Sequence, residues 1–158
     1  MFTMDDLLEI AIKMEENAEG IYARAVEKTS HPELKSMLKW MAKEETSHAK
    51  WFTNLKNKFS LETDEAQLKR MAPQVLQDMM GEKTLLLEDI DFGRIRTIGK
   101  LLETFIAFEN DTILFYELLE LFIQEEAVLN GLGQIIVEEK THIETLRSKM
   151  ASLSERAI

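Results

Sequence analysis

Two copies of one four-residue pattern constrain this chain more than any other feature. Glu45-Thr46-Ser47-His48 returns ninety-four residues later as Glu139-Lys140-Thr141-His142. Glu15 and Glu109 keep the same offset, as do Tyr22 and Tyr116. So do Leu7/Leu101, Leu8/Leu102, Glu9/Glu103, Ile12/Ile106, Leu38/Leu132 and Glu44/Glu138. Each half therefore reads Glu, a Tyr two helical turns on, and then Glu-x-x-His. An internal repeat of this kind fixes the architecture as two similar units. On a helix, positions i and i+3 lie about 5–6 Å apart on one face, so the Glu and the His of each pattern can aim at one point.

Composition says which kind of unit. Only two Pro and six Gly occur in 158 residues, too few for a turn-rich β protein. Good helix formers dominate. The expectation is an all-α fold, one domain over residues 1–158. Two pseudo-repeats, about 3–58 and 94–152, are joined by a crossover over 59–93.

The first helix is expected over residues 3–29, capped by Thr3 with Asp5 and Asp6 in its first turn. The second runs to about 58, opened by a capping box of Ser30 and Glu33. In the crossover, Thr63 would cap a short helix, Pro73 would kink it and Gly81 would end it. A connection of that length allows the third helix to run parallel to the second. The third helix covers 94–123 and is apolar nearly all round, so the crossover and a second subunit are expected to cover it. The fourth covers 125–152. Gly131 and Gly133 near its start mark either a loose turn or a close helix contact.

Net charge is −10 with a pI near 4.9, which disfavours nucleic-acid binding. No cysteine is present, which excludes disulfides, thiol catalysis and iron–sulfur ligation and suits a reducing cytoplasm. The start of the chain lacks a basic segment followed by an apolar run, so no signal peptide is expected. No stretch is long and apolar enough for a membrane span.

Four such helices would bring Glu15, Glu45, His48, Glu109, Glu139 and His142 together. One Glu from each of two helices and Glu-x-x-His from each of the other two make up a dinuclear carboxylate site. Oxygen-rich donors with one imidazole per ion suit iron(II) or manganese(II) and leave positions open for oxygen or peroxide. Four carboxylates neutralise two divalent ions; without them, some would have to bind protons. By position, Glu45 and Glu139 would bridge the ions, with Glu15 and Glu109 as terminal ligands. Tyr22 and Tyr116 are placed to donate hydrogen bonds to ligand carboxylates or to other core partners. Glu16, Glu44 and Glu138 read as solvated acids, His31 as a surface residue, and Trp40 and Trp51 as packing.

These residues resemble the ferritin-like di-iron carboxylate superfamily, and within it the rubrerythrin-like branch. The likeness rests on Met14-Glu15-Glu16, Ile21-Tyr22 and Lys43-Glu44-Glu45-Thr46-Ser47-His48-Ala49. Phe108-Glu109, Phe115-Tyr116 and Glu138-Glu139-Lys140-Thr141-His142 carry it in the second half. The resemblance implies a four-helix bundle whose two iron ions react with hydrogen peroxide or dioxygen. Two departures stand out. Rubrerythrins usually carry a cysteine-bound iron module; this chain has none, so a separate electron-donor protein is implied. They also carry an extra Glu one turn after the third-helix ligand, where this chain has Thr112. Three readings follow: a redox enzyme, an iron-handling ferroxidase, and a helical scaffold without metal. A homodimer is the expected assembly.

Overall fold

A computed structural model describes residues 3–58 and 90–158. Four helices follow in order: α1 (Met4–Lys28), α2 (Pro32–Lys58), α3 (Ile98–Glu120) and α4 (Glu126–Leu153). Among the described residues there is no strand, only an isolated bridge between Thr97 and Ala157. The short helix expected around Thr63, Pro73 and Gly81 lies outside the described residues.

Local chemistry explains the helix starts. The Thr3 hydroxyl accepts from the Asp6 N–H while the Asp6 carboxylate accepts from the Thr3 N–H, so two otherwise unpaired groups are satisfied reciprocally. α2 corrects the expected Ser30 cap. It begins at Pro32, with His31 at the cap position and its N–H donated to Thr29 Oγ1 at 3.3 Å. Pro32 thus occupies the first helical position, where a missing N–H costs nothing. α3 begins four residues later than expected. A turn at residues 92–94 comes first, and Thr97 caps the helix by accepting from Lys100 N–H at 3.2 Å.

The chain end completes the start of α3. Ile98 and Gly99 donate their N–H groups to the carbonyls of Arg156 and Ser154, at 2.9 and 3.0 Å. These are donors a helix cannot satisfy by itself. Gly99 permits the approach, because a Cβ there would stand 2.7 Å from the Ser154 carbonyl oxygen. Backbone cannot swing aside as a side chain can. Gly99→Ala is therefore expected to lose about 1–3 kcal/mol, as overpacking does, read as a lower thermal midpoint with the helix content kept. An unchanged midpoint would show that the terminal segment yields freely.

Side-chain pairs set the directions. Glu9–Lys56 and Glu15–His48 make α1 and α2 antiparallel. Tyr22–Glu109 and Tyr116–Glu15 do the same for α1 and α3. Glu33–Lys149 and His48–Glu138 do so for α2 and α4. α2 and α3 consequently run the same way.

The core follows the repeat. Leu7 and Leu101, Leu8 and Leu102, Leu38 and Leu132, and Tyr22 and Tyr116 are all buried, pair by pair. Each buried aliphatic or aromatic side chain contributes about 1.5–3 kcal/mol. Gly131 sits against the Trp51 indole, where a Cβ would come within 2.6 Å of the ring; it marks a close helix contact, whereas Gly133 faces open space. Leu114 on α3, Leu121 just past its end and Val137 on α4 are exposed.

Candidate metal centre

The six acidic and imidazole residues singled out by the repeat lie in the middle of the bundle. Their exposures are at most 3 %: Glu15, Glu45, His48, Glu109, Glu139 and His142. Each sits on the apolar face of its helix because the helical period puts it there. Glu15 lies between Met14 and Ala18, Glu109 between Phe105 and Thr112, and Glu139 and His142 between Ile135 and Leu146, all buried.

The groups converge on two overlapping clusters. Glu15, Glu45, His48 and Glu139 each offer an atom within 4.8 Å of the others. Glu45, Glu109, Glu139 and His142 do the same. Glu45 and Glu139 belong to both clusters. His48 Nδ1 lies 2.9 Å from Glu139 Oε1 and 3.5 Å from Glu15 Oε2. His142 Nδ1 lies 2.9 Å from Glu45 Oε1, 3.1 Å from Glu139 Oε2 and 3.5 Å from Glu109 Oε1. The two imidazoles are stacked at 28°, with centroids 6.2 Å apart.

Closeness here is not hydrogen bonding. Glu15 Oε2, Glu45 Oε1, Glu109 Oε2, both Glu139 oxygens and both Nδ1 atoms are buried without a hydrogen-bond partner of proper geometry. Donor atoms crowd together and point into a common space. Buried polar groups are ordinarily paired, and leaving several unmade is costly. A cation placed among them would satisfy all at once, so the donor set fits a pair of metal ions.

Electrostatics gives the same answer. Burial, then the negative neighbours Glu139, Glu15 and Glu109, push the Glu45 carboxyl well above the usual carboxylate range. Burial, with repulsion from Glu109 and Glu15, does the same to Glu139. Burial alone would lower the two histidines, but the facing carboxylates reverse it. Glu139 and Glu15 raise His48, and Glu109 and Glu139 raise His142, each to about 11. Glu15 goes the other way: burial opposes ionisation, yet the adjoining Glu45 carboxyl, the positive charge of His48 and the hydroxyl of Tyr116 hold its carboxyl below its ordinary value. Protons thus stand in for missing positive charge.

A second layer holds these groups in place. Tyr22 donates its hydroxyl to Glu109 Oε1, and Tyr116 donates to Glu15 Oε1. Each tyrosine serves the carboxylate of the opposite half. Burial first, then the neighbouring carboxylates, raise both phenols well above their ordinary value, so both stay protonated as donors. Glu44 and Glu138 correct the sequence reading. They are not simply solvated acids. Glu44 Oε2 lies 2.6 Å from His142 Nε2, and Glu138 Oε2 lies 2.8 Å from His48 Nε2. A carboxylate accepts, so each Nε2 carries the hydrogen and each Nδ1 is turned inward. Their shared offset of ninety-four was the signal. Their place about 100° round the helix hid it, because the neighbouring helix supplies the ring.

Other residues stand apart. Glu16 is exposed. The Thr112 hydroxyl is bonded to the Phe108 carbonyl at 3.0 Å and is thereby turned to its own helix. A surface cavity of about 560 Å³ is lined by Glu16, Thr46, Lys50 and Thr53 among others; none of the six central residues lines it, so it is not the place of the chemistry. Among the described residues no helix is long and apolar enough to cross a membrane.

Comparison with known proteins is consistent with this centre. A family model described as Rubrerythrin matches residues 6–150. The fold resembles a crystal structure described as that of a ferritin-like diiron-carboxylate protein from Thermotoga maritima. That likeness has a TM-score of 0.68 at 20 % identity and covers 95 % of both chains. No curated protein matches the chain.

Proposed function

The chain belongs to the rubrerythrin family, and on that premise we propose that it is a di-iron oxidoreductase reducing hydrogen peroxide or dioxygen with electrons from a separate donor protein. The observation that carries this reading is the set of buried, unpaired donor atoms of six residues aimed at one space. Glu15 and His48 Nδ1 would hold one ion, and Glu109 and His142 Nδ1 the other. Glu45 and Glu139, present in both clusters, would bridge them. The ions, when bound, supply electrons and the Lewis acidity that favours splitting an oxygen–oxygen bond.

The chain's own residues do the rest. Tyr22 and Tyr116 hold the terminal carboxylates by one oxygen and leave the other free. Glu44 and Glu138 fix the imidazole tautomer. Phe105, packed on Tyr22, and Phe52, packed on Tyr116, both fully buried, would keep bulk water away, which strengthens every charge interaction inside. The test is stopped-flow mixing of iron(II)-loaded protein with peroxide. Oxidation faster than that of free iron is expected; oxidation no faster would remove the reading. Mineral formation in a large assembly would point instead to iron storage.

The outer carboxylates lead to a separate prediction. Glu44→Ala and Glu138→Ala are each expected to weaken iron binding about 10–100-fold, the usual effect of losing an outer partner. Competition titration against a chelator measures it. Unchanged affinity would mean that the Nε2 contacts do not orient the rings. A homodimer is part of the proposal, supported by the exposure of Leu114, Leu121 and Val137; sedimentation velocity tests it.

A further inference from the structure

The six central residues, the two tyrosines and the outer carboxylates match between the halves of the centre, but the aromatic ring beside one of its histidines does not. Trp40 precedes Glu44 by one helical turn, and its repeat equivalent, Gln134, precedes Glu138 likewise. Gln134 reaches Glu138 with its amide, at 3.4 Å. Trp40 instead packs its ring edge-to-face on His142, with centroids 5.1 Å apart at 85°. His142 is fully buried, whereas Trp40 is 37 % exposed. Among the described residues, Trp51 and Phe92 are half-buried and every other Phe and Tyr is buried. Trp51, the second of two tryptophans in the chain, packs on Phe52. One indole therefore touches both bulk water and a proposed iron ligand.

We propose that Trp40 is the relay through which electrons enter the centre, on the His142 side. This rests on the di-iron reading above. Reduction of one hydrogen peroxide to two waters consumes two electrons and two protons. A one-electron carrier of the flavin or iron–sulfur class would deliver the electrons singly at the surface. Each electron crosses the indole ring to His142, the carrier is oxidised by one electron, and Trp40 is left unchanged. A delocalised ring in contact with an imidazole couples the two sides. A polar amide such as that of Gln134 lacks such a system, which makes entry one-sided although the ligands are symmetric. Trp40 is thus a positioning and relay residue, outside the set that binds the ions.

The test uses the iron-loaded, oxidised protein and photoreduced flavin mononucleotide as donor, followed by the loss of ferric absorption. Trp40→Leu is expected to slow reduction about tenfold, a barrier change of about 1.4 kcal/mol. Trp40→Tyr is expected to restore most of the rate, and Trp51→Phe to leave it unchanged. Iron content and melting temperature, measured on each variant, separate a relay from a packing role. A second readout needs no turnover. With Trp51→Phe, the emission of Trp40 is expected to be quenched strongly when iron(II) is titrated in; with Trp40→Phe, the emission of Trp51 is expected to change far less. Equal quenching of both, or a Trp40→Leu protein reduced as fast as wild type, overturns the relay. A chain that binds no iron overturns the di-iron reading and the relay together. Fast peroxide consumption with an indifferent Trp40 overturns the relay alone.

Discussion

Glu139→Gln is expected to abolish binding of both metal ions, whereas Glu15→Gln is expected to abolish one. Glu139 faces both histidines, with Oε1 2.9 Å from His48 Nδ1 and Oε2 3.1 Å from His142 Nδ1. It belongs to both donor clusters, while Glu15 belongs to one. An amide keeps the volume but removes a charge from each ion's surroundings. Losing an outer partner already costs about 10–100-fold in affinity, so losing a shared carboxylate should cost at least about 100-fold for each ion. Metal content after anaerobic loading and desalting measures the stoichiometry. Two ions retained by the Glu139→Gln protein would refute the bridging role. One ion lost in each variant would show that the clusters do not share the residue.

Removing the metal should change stability more than any single substitution, and the change should depend on pH. An ion that binds only the folded chain adds about 4 kcal/mol at a thousandfold excess over its dissociation constant. At about 2–4 °C per kcal/mol for a chain of this size, the pair together should raise the thermal midpoint by more than about 10 °C. Without metal, folding raises the affinity of four groups for protons. Glu45 and Glu139 are pushed well above 4.5, and His48 and His142 from 6.5 to about 11. The folded chain then holds more protons than the unfolded one, so its stability falls as pH rises. The imidazole part is fully present below 6.5 and is lost on the way to about 11. The low carboxyl of Glu15 works oppositely, its contribution being lost only in acid. Metal expels the protons from its ligands, so it binds better as pH rises. The midpoint difference between loaded and chelator-treated protein should therefore widen between about pH 6 and pH 9. A difference that narrows over that range would mean that those protons are not displaced by metal.

The offset of ninety-four residues and the three-residue step inside each motif suffice to gather the six central residues. A helix puts i and i+3 on one face, and an isolated Glu amid Met14, Ala18 and Tyr22 can be tolerated only at a shared, compensated site. Four helices and their termini were legible to within a few residues for the same reason, since capping and apolar period act over one or two turns. What needed the tertiary structure was every partnership between helices. The antiparallel alignment of α1 with α3 decides that Tyr22 serves Glu109 and not Glu15. The alignment of α2 with α4 brings Glu44 and Glu138, which lie off the inward face of their own helices, against the outer nitrogen of a histidine from the other. It also lays Trp40, to all appearance a packing residue, on the ring of His142. Local periodicity determines which side of a rod a residue occupies; only the register between rods, set by packing of the whole core, decides which atoms meet.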